Sequence, residues 1–242
     1  MAMISVPLII TIEDENGPRR HHARQEAERQ GWTPLFLRSI DTTSPEISRL
    51  YDSKWNRRKR KRPMTAGEIA CYYGHRQAWQ VVAAGKEPAR LILEDDFKVA
   101  RPDLIPLFSQ AVDQLPAWDI ICLSSHRAKG PFRSLYYEGI AFRKYLFGAT
   151  GAVGYLLSQN GARKLLSRSK VFRPLDEDFI HPWELGLTVR YTAPRLICEM
   201  NDAVSTLEDA RKNRKRRLLA SCHGALLKFD WQLRSILHWL RN

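Results

Sequence analysis

The sequence predicts an α/β domain with a largely parallel sheet, followed by a basic amphipathic helical tail. Three observations lead there. β-Branched apolar runs alternate with helix-length segments. One of those runs ends in three adjacent carboxylates. Past about residue 208 the chain becomes almost wholly basic and then amphipathic. At 242 residues, 44% hydrophobic and 27% charged, the chain can bury a sizeable core, which excludes wholesale disorder and collagen-like repeats.

Ile4–Ile12 is a β-branched run and reads as a buried first strand. Gly17 and Pro18 mark a loop, Arg19–Gln30 reads as a helix stopped by Gly31, and Leu35–Leu37 as a short second strand. Asp41–Pro63 reads as irregular; its six consecutive cations, Arg57 to Arg62, repel one another and predict a solvated loop. Thr65 and Glu68 have capping-box spacing and start a helix to about Ala84. Ala89–Leu93 is an apolar strand running into Glu94-Asp95-Asp96. Pro102 opens a helix to about Leu115, and Trp118–Leu123 is a strand. Gly151–Leu157 reads as a strand, followed by a helix that Ser158 caps and that ends near Leu166. Arg173–Trp183 is turn-rich and acidic, and Thr188–Thr192 and Arg195–Glu199 close the sheet. These elements give a catalytic domain over 1–207 and a tail over 208–242.

Charge and cysteine narrow the function classes. The 39 Lys and Arg against 26 Asp and Glu give a net charge of +13, which favours polyanionic partners. Cys71, Cys122, Cys198 and Cys222 form no CxxC pair, so neither a close-paired zinc site nor a disulfide scaffold is expected. No basic leader precedes the first strand and no apolar run reaches about 18 residues, so the expectation is a cytoplasmic protein with at most peripheral membrane contact.

The triplet Glu94-Asp95-Asp96 carries the chemistry. Ligands of open α/β sheets bind outside the carboxyl ends of strands. Adjacent anions repel, and a hard cation such as Mg²⁺ or Mn²⁺ relieves that repulsion while keeping positions open for phosphate oxygens. The competing reading is a solvated loop whose Asp caps a helix.

Context decides between them. Residues 63–75 read PMTAGEIACYYGH, 91–96 LILEDD, 148–166 GATGAVGYLLSQNGARKLL and 173–184 RPLDEDFIHPWE. In that order they resemble glycosyltransferase family 25, which includes lipopolysaccharide, lipooligosaccharide and collagen galactosyltransferases. Arg19-Arg20 and Ser39-Ile40-Asp41 also look like family features, and the resemblance spans nearly 4–207. The sequence departs from the family pattern at Gly74, where a Ser usually precedes the histidine.

The resemblance implies a nucleotide-sugar glycosyltransferase fold of the single Rossmann-like domain type with an acidic, DXD-like metal motif. It implies metal-dependent, inverting transfer of a hexose, galactose first and glucose second, from a UDP-sugar to a lipopolysaccharide- or lipooligosaccharide-type acceptor of the bacterial envelope. Asp96 is the first choice for the metal, Glu94 serves either the metal or the nucleotide ribose, and Asp95 is a candidate donor contact that points elsewhere if the segment stays extended. His181 is a further candidate ligand. Asp176 is the candidate base that takes the acceptor hydroxyl proton, with Glu177 and Asp178 as replacements; alternatively Asp176 caps a helix. Glu68, His75 and Gly151 are candidate donor contacts, against readings as a cap, a core histidine and a tight bulge.

In the tail, Arg211–Arg217 is almost wholly basic, and Leu226, Phe229, Leu233, Ile236, Leu237 and Leu240 share one helical face. The expectation is binding to an anionic membrane surface, as for an enzyme peripheral to the inner membrane; the alternative is packing of that stripe on the domain. A metal-dependent nuclease or nucleic-acid-binding protein is the rival function. It suits the charge, but no helix-turn-helix, RNP-like or zinc-finger pattern supports it, and no nucleic-acid partner is expected.

Overall fold

The computed structural model describes residues 6–125, 128–200 and 219–241. The basic run Arg211–Arg217 lies outside the described residues. The described residues form ten strands: β1 (Leu8–Thr11), β2 (Leu35–Arg38), β3 (Ala89–Glu94), β4 (Phe97–Val99), β5 (Ile120–Cys122), β6 (Lys129–Tyr137), β7 (Ile140–Phe147), β8 (Gly154–Ser158), β9 (Val189–Ala193) and β10 (Ile197–Glu199). Eight of them form one sheet in the order β2-β1-β3-β8-β5-β9-β7-β6, and β4 pairs with β10 separately. The helices are α1 (Pro18–Arg29), α2 (Glu46–Leu50), α3 (Ser53–Lys59), α4 (Ala66–Ala84), α5 (Leu104–Gln114), α6 (Gln159–Leu166), α7 (Leu175–Phe179) and α8 (Leu219–Arg241).

The sheet is mixed, which corrects the expectation of a largely parallel one. β1 runs parallel to β2 and β3, and β5 to β9. The remaining neighbours are antiparallel. Parallel neighbours need a crossover, usually a helix, and β6, β7 and β8 follow one another with none between them. β6 and β7 join through Glu138 and Gly139, both at positive φ (47° and 75°), as a two-residue primed hairpin turn requires.

Side-chain alternation splits the core into two layers. Leu8, Ile10, Ile92 and Tyr155 face α4 and α6, while Ile9, Leu91, Leu93 and Leu156 face α1 and α5. The Thr65–Glu68 capping box forms as the spacing predicts, and Ser158 caps α6. Several segments depart from expectation: Asp41–Pro63, read as irregular, holds α2 and α3, and Arg195–Glu199 gives β10, which pairs with β4 instead of closing the main sheet. The strand read from Gly151 begins only at Gly154, leaving 151–153 as loop. The supposed solvated run Arg57 to Arg62 forms the last turn of α3 and its exit. Arg60 is buried there, and its guanidinium grips the Glu177 carboxylate through Nε at 2.9 Å and Nη2 at 2.7 Å. A fork matched to a carboxylate turns a cation inward where repulsion alone would hold it in water.

α8 docks on the domain, but not through its sequence stripe. The Trp231 indole N–H donates to the Ile180 carbonyl at 2.8 Å, its ring lies 5.0 Å from that of Phe147, and Ser235 is buried. Leu226, Phe229, Leu233, Ile236, Leu237 and Leu240 face away and stay 40% to 70% exposed. No helix among the described residues is long and apolar enough to cross a membrane.

Candidate active site

β1 lies between β2 and β3, so the chain leaves β1 to one side and returns on the other. Such a reversal opens a crevice at the carboxyl ends of the strands. Ile10 pairs with Glu94, so Thr11 and the acidic triplet emerge together at that edge. The 148–153 loop reaches the same edge, where the Glu94 amide donates to the Val153 carbonyl at 2.8 Å.

The three carboxylates separate. Asp95 is buried and accepts from the Thr11 hydroxyl at 2.6 Å and from Arg19 Nη2 at 2.6 Å. It is therefore spent on β1 and α1 rather than on a donor. Asp96 Oδ2 also meets Arg19 Nη2, at 2.9 Å, while Asp96 Oδ1 is buried with no hydrogen-bond partner. Arg19 Nε is likewise buried and unpaired. Burial and then the Glu94 charge push the Asp96 pKa up to about 7, against the pull of Arg19. An unpaired anionic oxygen beside an unpaired guanidinium N–H is what a cation with a bound phosphate would satisfy, so this edge fits a divalent metal.

Glu94 turns toward α4, into a directed chain of hydrogen bonds. The Trp79 indole N–H, which can only donate, donates to the Tyr155 hydroxyl oxygen at 2.9 Å. The Tyr155 hydroxyl in turn donates to His75 Nδ1 at 2.9 Å, which leaves the proton on Nε2 to be donated to Glu94 Oε1 at 3.2 Å. Burial raises the Glu94 pKa, but the hydrogen bond from His75, with Arg19, outweighs it and holds the carboxyl below its usual value. The Cys71 thiol donates to the same oxygen at 3.8 Å. Cys71 Sγ, His75 Nε2 and Glu94 Oε1 lie within 4.8 Å of one another, and they form the three-donor group found among the described residues. His75 is wholly buried with both ring nitrogens partnered, as the core-histidine reading expects, and through Nε2 it orients Glu94.

The acidic segment 173–184 sorts its carboxylates just as clearly. Glu177 is held by Arg60. Asp178 is buried, accepts from the Tyr72 hydroxyl at 2.6 Å and lies near Arg168 and Arg173. Asp176 instead accepts from the backbone N–H of Gly151 and of Glu177. Burial and then the charge of Glu177, with Glu94 adding, raise its pKa to about 6. Asp176 does not cap α7, whose N-cap is Pro174. The Cys71 thiol is pushed well up by burial first and then by the charges of Glu94, Asp176 and Asp96.

Other predicted residues take structural places. Glu68 closes the capping box and meets Arg62, whose Nη2 lies 3.2 Å away, as the reading of a cap expects. His181 does not join the three-donor group. Its Nδ1 bonds the Glu177 carbonyl at 2.6 Å, and burial lowers its pKa to about 4. Gly151 needs its freedom, with φ 110°, and turns its amide to Asp176. Gly154 is small because a Cβ there would meet Ile197 at 2.8 Å. At Gly74 a Cβ would meet Ile10 Cγ2 at 2.6 Å and Ser39 Cβ at 3.0 Å. Ser39 Oγ occupies that space and donates to the Ala70 carbonyl at 2.6 Å, so a hydroxyl reaches the helix from β2's exit rather than from position 74. Sequence spacing gave no signal for Thr11, Arg19 or Cys71 as partners of the triplet.

Comparison with known proteins follows this geometry. The model of glycosyltransferase family 25 (LPS biosynthesis protein) matches residues 5–181. The chain belongs to glycosyltransferase family 25. A family 25 member from Aedes aegypti is 30% identical over 128 residues, 48% of this chain and 20% of that protein. A Rattus norvegicus relative, 30% identical over 121 residues (48% and 21%), is named a probable inactive family 25 member 3. Procollagen galactosyltransferase 1 of Danio rerio is 27% identical over 124 residues (48% and 20%). The chain therefore spans about one-fifth of the length of the curated relatives it matches. Among solved structures, a Drosophila β-1,4-galactosyltransferase 7 complex with manganese, UDP-Gal and xylobiose aligns over 91% of this chain and 79% of its own. The identity is 13% and the TM-score 0.39.

Proposed function

We propose that this family 25 chain is a metal-dependent, inverting hexosyltransferase using a UDP-sugar, with galactose favoured and glucose second. The observation that supports it most is the end of β3, where Asp96 keeps an unpaired buried oxygen and Glu94 is oriented by His75. Asp96 and Glu94 would hold Mn²⁺ or Mg²⁺, which when bound supplies positive charge to the departing diphosphate. Arg19 adds a fixed cation at that edge. Asp176, with a pKa near 6, is ionised at neutral pH and basic enough to take the proton of an acceptor hydroxyl attacking the anomeric carbon. Zebrafish procollagen galactosyltransferase 1, a relative by sequence, favours galactose as the sugar. The acceptor we propose is a lipid-linked, lipopolysaccharide-type glycan, met by a cytoplasmic enzyme at the inner-membrane surface.

Release of UDP from a panel of UDP-hexoses, with Mn²⁺, Mg²⁺ or chelator, tests this. UDP-galactose hydrolysis that stops with chelator, and that accelerates with truncated lipopolysaccharide, is the expected result. No release from any nucleotide sugar with either metal would place the chain beside its inactive relatives and end the proposal.

A further inference from the structure

α8 is docked the wrong way round for a helix whose apolar stripe serves a core. Its domain-facing side is the polar-aromatic one: Trp231 is bonded to the Ile180 carbonyl, Ser235 is buried, and the Arg133 guanidinium sits 4.5 Å above the Trp239 ring. The outward side carries Leu226 at 70%, Phe229 at 66% and Leu240 at 65% exposure, with Leu233, Ile236 and Leu237 between them. Single exposed apolar residues are ordinary, but a continuous stripe of six along one helix marks a contact surface.

The surroundings of the stripe indicate its chemistry. Lys228, Arg234 and Arg241 are exposed on the same helix. The Lys61 side chain lies against Gly224 and fills the space where a Cβ would be, which brings the cationic end of α3 up to the start of α8. Arg57, Arg58 and Lys61 are exposed there, around Trp55, itself 45% exposed with Arg58 and Lys59 over its ring. By sequence, six of the seven residues Arg211–Arg217 are also basic. An apolar stripe beside cations and an exposed tryptophan matches the layering of a lipid surface, with acyl chains beneath and anionic headgroups around. A protein partner would cover the leucines but would not call for cations on two separate elements.

We propose that the outer face of α8 and the Arg57–Lys61 end of α3 form one surface that seats the protein on an anionic phospholipid bilayer. The purpose of this surface rests on the reading of a lipid-linked acceptor. Trp231 fixes α8 to Ile180, four residues past Asp176, so the seated helix and the candidate base belong to one packed segment.

The test uses the full chain without donor or acceptor, so that a silent catalytic site leaves it intact. Cosedimentation with phosphatidylglycerol–phosphatidylcholine vesicles is compared with pure phosphatidylcholine vesicles. Binding is expected on the first and at least tenfold weaker on the second. Leu233→Glu with Leu237→Glu should lower it by on the order of a hundredfold, and Arg57→Ser with Arg58→Ser by several-fold, with the latter loss mimicked by salt. All four positions are exposed, so circular dichroism should not change. The proposal is overturned if wild type fails to sediment, or if the leucine pair leaves binding intact. It is equally overturned if sedimentation velocity shows a dimer that the leucine pair dissolves, or if RNA rather than vesicles is bound.

Discussion

The edge where β1 and β3 end and the outer face of α8 break the usual rule of burial in opposite senses. At the edge, polar groups are inside: Asp95 is buried, His75 wholly so, and Asp96 keeps an oxygen without a partner. On α8, six large apolar side chains are outside. A buried polar group without a partner costs on the order of 1–3 kcal/mol. Leaving a leucine in water forgoes about 1.5–3 kcal/mol. Neither arrangement is one that stability alone retains. The two differ in how they are supported. Every anion at the edge has a neighbour that orients it, whereas the stripe on α8 is largely open to solvent. Fixed geometry suits bond-making at a defined atom; an unconstrained apolar face suits a fluid surface.

The largest effect that would break the comparison is at Asp96. Asp96→Ala removes the unpaired oxygen and should lower metal-dependent transfer about a thousandfold, with circular dichroism unchanged. Turnover near wild type in steady-state assays would mean that the orphan oxygen is a packing accident.

Asp176 sharpens it next. Asp176→Asn keeps size and the Gly151 contact but not basicity, so kcat should fall about a hundredfold or more while donor KM moves little. The sign of the pH effect follows from the raised pKa. In wild type the base form disappears as pH falls through about 6, giving an acid limb that the variant lacks. A carboxyl raised in the folded state weakens the fold where it is ionised. Asp176→Asn should therefore stabilise at pH 7 by on the order of 1–3 kcal/mol, and the gain should fade toward pH 4. Urea melts at the two pH values check this. Lost activity together with lost stability at pH 7 would make Asp176 structural.

Much of this was legible, and the gaps have physical causes. The β1, α4 and β3 readings hold because the β-branched run, the capping box and the apolar run are local signals. The acidic triplet was visible as chemistry. Its division was not, because which carboxylate meets Arg19 and which meets His75 depends on β1 and α4 lying on either side of β3's end. Arg60 shows the same limit: six adjacent cations look solvated until Glu177, 117 residues away, supplies a partner. For α8 the stripe was correctly placed, but a helical wheel does not say which face docks. Trp231 and Trp239, outside the stripe, made that choice.

Tyr155→Phe tests whether the order at the edge is energetic as well as geometric. It strands the Trp79 N–H and His75 Nδ1 in a wholly buried place and should cost about 1–3 kcal/mol in urea unfolding. Activity should fall less than in the two carboxylate variants, because Glu94 keeps its His75 bond. A melt identical to wild type would show that the chain of donors does not hold Glu94.

Gly74→Ser, which restores the residue most of the family carries, should give the smallest effect and is the sharpest probe of local packing. Serine in place of glycine within α4 should gain about half a kcal/mol of helix propensity. Against that, its Cβ would sit 2.6 Å from Ile10 Cγ2 and 3.0 Å from Ser39 Cβ, in a helix–strand contact with nothing soft to yield. Overpacking of this kind costs about 1–3 kcal/mol, so the net expectation is a loss of about 1 kcal/mol. Ser39 makes the argument testable in a second way. If its hydroxyl has taken over the place of the missing one, Ser39→Gly should destabilise the wild type by removing the bond to the Ala70 carbonyl, yet be nearly neutral, or helpful, in the Gly74→Ser background. Additive losses in the double variant would show that the two positions do not share that space, and that glycine at 74 has some other cause.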